Sequence, residues 1–116
     1  MNPQRPGVPS VPIDQLPAEL PEGVTLLDVR EDDEWSAGHA PGARHIPMGD
    51  VPARIEELPS DGGIYVLCRS GGRSARVTAY LNNAGWDATN VDGGMRAWQA
   101  GGRLMVAEHG ETPTVI

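Results

Sequence analysis

Short apolar runs separated by glycine and proline set the rhythm of this chain. Residues Val24 to Val29 are apolar nearly throughout, with Asp28 near the end, and Ile64 to Leu67 form a second such run. Continuous runs of this length suit strands covered on both faces. Ala88 to Val91 predicts a further strand, Ala43 to Ile46 a shorter one closed by Pro47, and Ser10 to Ile13 a short edge strand. Between the strands the apolar spacing turns helical. Glu31 to Ala37 reads as a short helix with acids in its first turn, where the helix dipole favours them, and Gly38 as its stop. Val51, Ile55 and Leu58 predict a helix over Val51 to Leu58, ended by Pro59. Val77, Tyr80, Leu81 and Ala84 give the apolar face of a helix from about Arg73 to Ala84, with Gly85 beyond it. Met95 to Ala100 is the last helix, bracketed by Gly93-Gly94 and Gly101-Gly102, and Asp14 to Leu20 is one helical turn at best, cut by Pro17.

Strands alternating with helices predict an α/β fold, a parallel sheet with helices on both faces. Such sheets place ligands just beyond the carboxyl ends of their strands. At 116 residues the chain is one domain. Residues 1–10, with Pro3, Pro6 and Pro9, read as a loose arm, residues 11–104 as the domain, and residues 105–116 as a tail, with Leu104 to Val106 a candidate for docking.

Charge and cysteine content narrow the chemistry. The net charge is −7, and all nine basic residues are arginine. An acidic chain lacks the electrostatic attraction that holds proteins on nucleic acid or anionic lipid, so neither is expected as a partner. No apolar run approaches the ~18 residues of a membrane span. The first 21 residues hold six prolines and no apolar core, unlike a signal peptide. A cytoplasmic location is expected. The single cysteine, Cys68, excludes an internal disulfide and a cysteine-based zinc site within one chain. His39, His45 and His109 are too scattered to suggest a metal, and no cofactor is expected.

The informative segment runs from Ile64 to Ala84. A strand delivers Cys68; Arg69-Ser70-Gly71-Gly72 follow, and Arg73 stands at the mouth of a helix. A glycine-rich turn between strand and helix can aim successive N–H groups at an anion, reinforced by the helix dipole. A thiol at the rim of such a nest ionises readily. No acidic residue lies between Asp61 and Asp87, whereas Arg69, Arg73 and Arg76 do, which suits an anionic substrate. The bland alternative is a buried, inert cysteine beside a tight turn. Asp28 reads either as a general base or as a structural acceptor for loop N–H groups or Arg30, and His39 either as an acid–base group or as a hydrogen-bonding scaffold. Trp35 and Trp98 read as core anchors and Trp86 as partly exposed; Glu31, Asp32, Asp33 and Glu34 read as a helix start and solvated face.

Three stretches together resemble the single-domain rhodanese-like sulfurtransferase family. They are Leu27-Asp28-Val29-Arg30 with Glu34-Trp35, Gly38-His39-Ala40-Pro41-Gly42-Ala43 and Ile46-Pro47; Cys68-Arg69-Ser70-Gly71-Gly72-Arg73-Ser74; and Gly93-Gly94-Met95-Arg96-Ala97-Trp98. The resemblance spans roughly Val11 to Gly102. It departs at Ala40, where the family more often has Ile, and at Leu104, where it often has Pro. It implies a three-layer α/β/α fold on a central five-stranded, mostly parallel sheet. It also implies sulfur transfer through a persulfide on Cys68. The donor would be a small anion such as thiosulfate and the acceptor cyanide or a thiol. Backbone N–H groups of Arg69 to Arg73 would cradle the charge. Arg73 would hold the loop or the leaving sulfite, Arg69 would face solvent and the incoming anion, and Asp28, Arg30, His39 and Ser74 would support them. Two alternatives remain: a persulfide relay or binding module fed by a protein partner, and a cysteine phosphatase or arsenate reductase of the same architecture. The phosphatase relatives carry one more residue between Cys and Arg than the step from Cys68 to Arg73 here, and no acid near the loop in sequence could protonate a leaving oxygen.

Overall fold

The computed structural model describes residues 8–116, so most of the arm expected over residues 1–10 lies outside the described residues. Five strands form one sheet: β1 (Ser10–Pro12), β2 (Thr25–Asp28), β3 (Arg44–His45), β4 (Gly63–Leu67) and β5 (Asp87–Asp92). Their order is β1-β5-β4-β2-β3, and all four pairings are parallel. The helices are α1 (Asp32–Ala37), α2 (Val51–Arg54), α3 (Gly72–Asn83) and α4 (Gly94–Ala100).

Neighbouring positions on the strands feed opposite faces, as the pleat requires. Leu27, Val29, Ile64, Val66 and Ala88 join Val51, Leu58, Val77 and Leu81 in one core. Leu26, Leu67 and Val91 join Leu16, Met95 and Trp98 in the other. The sheet is thus covered on both sides, which explains why β2 and β4 read as unbroken apolar runs.

Several expectations need correction. The helix expected over Val51 to Leu58 is only one α-turn, and Ile55–Glu57 continues it as a 3-10 turn. Asp14 to Leu20 contributes a 3-10 turn earlier, at Ile13–Gln15. On α3 the buried stripe is Ser74, Val77, Thr78 and Leu81. Tyr80 and Ala84, assigned to the apolar face, are exposed. Small polar residues hold the inner positions because each finds a partner there: Thr78 Oγ1 donates to the Ser74 carbonyl, and the Ser74 hydroxyl lies 3.3 Å from the Cys68 sulfur.

Residues 104–116 lie against the body of the domain. Val106 and His39 exchange both backbone bonds at 2.9 Å. The N–H groups of Glu108 and Thr114 donate to the carbonyls of Ser36 and Ala37, and Met105 and Val115 pack on the second core. Gly38 is required here, since a Cβ would lie 2.5 Å from the Thr114 carbonyl oxygen.

The sheet order positions the site. From β2 the chain leaves through α1 to β3 on one side, and from β4 it leaves through α3 to β5 on the other. The carboxyl ends of adjacent β2 and β4 therefore flank a topological switch point, where open α/β sheets leave a crevice. Asp28 ends β2, and Cys68 follows the last residue of β4.

Candidate active site

Cys68 is 1% exposed, and its sulfur is ringed by donors. The N–H of Gly71 donates to Sγ at 3.1 Å and that of Ser74 at 3.4 Å, while the Ser74 hydroxyl lies 3.3 Å away. Gly71 takes φ +117°, which turns the chain into α3, so the helix opens with its N-terminus on the sulfur. Burial raises the thiol pKa, but the Ser74 hydroxyl and the N–H groups of Ser74, Gly71 and Ser70 outweigh it, and the net shift is downward. Ser74, expected only to support, supplies two of the three contacts.

The loop is braced from behind by α4. The N–H groups of Met95 and Arg96 donate to the carbonyls of Cys68 and Arg69 at 2.8 and 2.9 Å. Those carbonyls are drawn away from the sulfur, which leaves the N–H side of the turn facing it. Gly94 makes this contact possible. It has φ +53°, and any Cβ there would collide with the Cys68 carbonyl oxygen.

Arg73 does not stand free over the loop. Its Nη1 and Nη2 donate to the two carboxylate oxygens of Glu34 at 2.7 and 2.8 Å. The arginine holds the Glu34 carboxyl below its ordinary range, and the carboxylate raises Arg73 in turn. Glu34 is therefore not part of a solvated face, and the absence of acids near the loop holds in sequence but not in space. Arg69 is exposed, as expected, but its Nε donates to the Ile116 main-chain oxygen at 2.9 Å. Its two terminal nitrogens form no hydrogen bond among the described residues.

Asp28 and Arg30 are both fully buried and locked together. Arg30 Nη2 donates to Asp28 Oδ2 at 2.8 Å, Nε donates to both carboxylate oxygens, and the Arg30 N–H donates to Oδ1. Nη2 also reaches the Gly38 carbonyl at 2.8 Å, which ties β2 to the turn before β3. Of the two readings of Asp28, the geometry fits the structural acceptor. His39 fits the scaffold role: its Nδ1 lies 2.8 Å from the Trp35 carbonyl, and its backbone pairs with Val106. Trp35 is half-buried rather than a core anchor; its ring stacks on both His39 and His45, at 3.6 and 4.7 Å between centroids. Trp98 is buried, as expected.

Two participants escape the sequence reading. Glu34 is 39 residues from Arg73; it belongs to the first signature with Trp35 and accepts the Glu31 N–H at 2.9 Å in the capping box of α1, but neither feature points to Arg73. Asn90 of β5 accepts the Ser74 hydroxyl at 2.6 Å; in a strand that reads Asp-Ala-Thr-Asn-Val-Asp one more polar residue gives no signal. Among the described residues no group of three His, Cys, Asp or Glu side chains is arranged for a metal, and no helix is long and apolar enough to cross a membrane.

Comparison with known proteins places the chain in a family. The rhodanese-like domain model matches residues 13–101. The chain is 47% identical over 81 residues to the Bacillus subtilis protein YtwF, a proposed sulfurtransferase, covering 70% of this chain and 79% of that one. It is 39% identical over 90 residues to a sulfurtransferase of Allochromatium vinosum, covering 77% and 84%. A solved rhodanese-like domain protein from Staphylococcus aureus is 36% identical and superposes with a TM-score of 0.73 over 91% of this chain and 99% of that one.

Proposed function

The chain belongs to the rhodanese-like domain family, and from that premise we propose that it is a sulfurtransferase that carries sulfur as a persulfide on Cys68. The observation that carries the reading is the convergence of the Gly71 and Ser74 N–H groups and the Ser74 hydroxyl on one buried sulfur at the start of α3.

The proposed donor is thiosulfate or a similar small anion, and the proposed acceptor is cyanide or a thiol. In the first half-reaction the Cys68 thiolate attacks the outer sulfur of thiosulfate. The new S–S bond forms as the bond to the sulfonate breaks, and sulfite leaves with the electron pair. The negative charge then sits on the terminal persulfide sulfur. Loop N–H groups and the positive end of α3 stabilise that charge without reorganising. In the second half-reaction cyanide or a thiolate attacks the terminal sulfur, and Cys68 departs as the thiolate it began as. A single cysteine suffices, because the resolving nucleophile comes from outside. The unengaged terminal nitrogens of Arg69 suit it to greet the anionic donor. Arg73 acts through Glu34 as a brace for the loop.

A phosphatase reaction fits less well. A phosphoryl group needs separate donors for three oxygens and an acid for the leaving group, and the carboxylate that meets the loop, Glu34, is engaged by Arg73 in an ionised state.

Intact-mass measurement after anaerobic incubation with thiosulfate tests the proposal. The protein should gain one sulfur atom and Cys68→Ser none. Parallel assays should show thiocyanate formation from thiosulfate and cyanide, with aryl phosphate hydrolysed at background rate. Cys68-dependent phosphate release would overturn the reading. An unmodified protein that still accepts sulfur from a persulfidated protein would replace the thiosulfate enzyme by a protein-fed relay.

A further inference from the structure

We propose that Asn90 is a positioning residue for the nucleophile: it competes with the Cys68 sulfur for the single proton of the Ser74 hydroxyl. The inference rests on the reading of Cys68 as the nucleophile.

Three buried side chains stand in line. Cys68 is 1%, Ser74 0% and Asn90 3% exposed. The Ser74 oxygen lies 3.3 Å from the Cys68 sulfur and 2.6 Å from Asn90 Oδ1. The orientation of the Asn90 amide follows from its other neighbours. Its Nδ2 faces Asp92 Oδ1 at 3.4 Å and the Ser10 hydroxyl at 3.5 Å. A carboxylate only accepts, so the amide nitrogen turns to Asp92 and the amide oxygen turns to Ser74. That oxygen also only accepts, and at 2.6 Å it takes the hydroxyl proton.

The consequence differs for the two states of the cysteine. In the thiol, Ser74 donates to Asn90 and offers a lone pair to the S–H, so every group in the line is paired. In the thiolate, the sulfur has no proton to give and calls for donors. The hydroxyl swings from Asn90 to the sulfur, and Oδ1 is left buried without its donor, at the cost that any unpaired buried acceptor carries. Asn90 therefore stabilises the thiol and moderates the fall in pKa that Ser74 and the helix N-terminus produce. Moderation suits a group that must first attack and later leave, since a thiol loses nucleophilicity as its pKa falls.

The charged groups around the line are Arg73 of α3, paired with Glu34 of α1; Arg69 of the loop; the Asp28–Arg30 pair beyond β2; and Asp92 of β5. Substitutions at Asn90 and Ser74 leave all of them in place.

The test is the rate of alkylation by neutral iodoacetamide as a function of pH. Asn90→Leu should move the midpoint down by roughly half to one pH unit, a ~3–10-fold gain in the thiolate-to-thiol ratio. Ser74→Ala should move it up. The double variant should match Ser74→Ala alone, because Asn90 acts only through the serine. A midpoint that stays or rises in Asn90→Leu, or a double variant midway between the singles, overturns the proposal. A measurement on the unaltered protein stands beside these, in case a variant fails to fold. The Asn90 side-chain amide resonances should titrate with the Cys68 midpoint, since Oδ1 changes partner there; resonances that ignore the ionisation also overturn the proposal. None of these readouts requires sulfur transfer. If thiosulfate leaves the protein unmodified, the functional reading fails while the midpoints still decide the role of Asn90.

Discussion

Glu34 and Arg73 stand 39 residues apart in sequence and meet through two bonds of 2.7 and 2.8 Å, one to each carboxylate oxygen. The pair fastens α1 to the first turn of α3, so the loop that carries Cys68 is held from the β2 side of the crevice. Parallel, charge-assisted bonds of this kind fix direction as well as distance.

Replacing Glu34 by Gln keeps the shape and removes the charge. With both side chains only partly exposed, the expected cost is about 1–3 kcal/mol, between the exposed and the buried limits for ion pairs. The pH dependence has a definite sign. The Glu34 carboxyl is lowered in the folded protein, so its contribution is whole above the ordinary glutamate value of about 4.3. It is lost as pH falls through the lower folded value. Urea denaturation of both proteins should show the gap closing in acid; a gap independent of pH would mean that the pair contributes nothing through charge.

The fold was legible where one force dominates. Apolar runs covered on both sides mark β2 and β4, and glycines mark the turns around Cys68. The loop was legible because its chemistry is local: thiol, glycines and helix start follow the strand within seven residues, Cys68 to Ser74. What escaped depends on contacts between distant segments. Glu34 stands in the first signature and at N3 of the α1 capping box, but no local pattern pairs it with Arg73. The inner face of α3 was misread because Ser74 and Thr78 are buried by their hydrogen bonds, not by hydrophobicity. Backbone bonds to residues 36–39 hold the C-terminal segment, and backbone groups leave no trace in side-chain periodicity.

The Cys68 thiol should ionise below its ordinary value of about 8.5. A lowered acid adds stability that is complete above the ordinary value and disappears as pH falls through the folded one. The stability of the native protein relative to Cys68→Ala should therefore rise from mildly acidic to mildly alkaline pH and then level off. A difference that falls over that range would mean that desolvation outweighs the donors.

Gly94→Ala tests the brace behind the loop. The new Cβ would meet the Cys68 carbonyl oxygen at φ +53°, so the turn and α4 have to separate. The expected loss is about 2–4 kcal/mol, from the left-handed backbone and the overpacking together. The alkylation midpoint of Cys68 should also climb toward the ordinary thiol value, because the carbonyls no longer hold the N–H groups on the sulfur. Unchanged stability and midpoint would show that the helix does not shape the loop.

Arg69 makes the donor's sign a testable matter, and the C-terminal segment enters through it. The bond from Nε to the Ile116 main-chain oxygen fixes the guanidinium at the loop, while among the described residues its terminal nitrogens stay unengaged. Val115 anchors that segment, with its N–H donating to Gln99 Oε1 at 3.1 Å and its side chain on the second core. Removing residues 112–116 should leave Arg69 present but unheld. The KM for thiosulfate, a dianion, should then rise about 5-fold, which is what ~1 kcal/mol of positioning is worth. Arg69→Gln should raise it further, since the charge goes as well. Neither change touches the donors on the Cys68 sulfur, so alkylation by a neutral probe should keep its rate and its midpoint. Salt should weaken thiosulfate use more in the native protein than in Arg69→Gln, where one of the screened charges is already missing. Equal losses with thiosulfate and the neutral probe would instead mean that the segment holds the loop together, and that the guanidinium takes no part in choosing the donor.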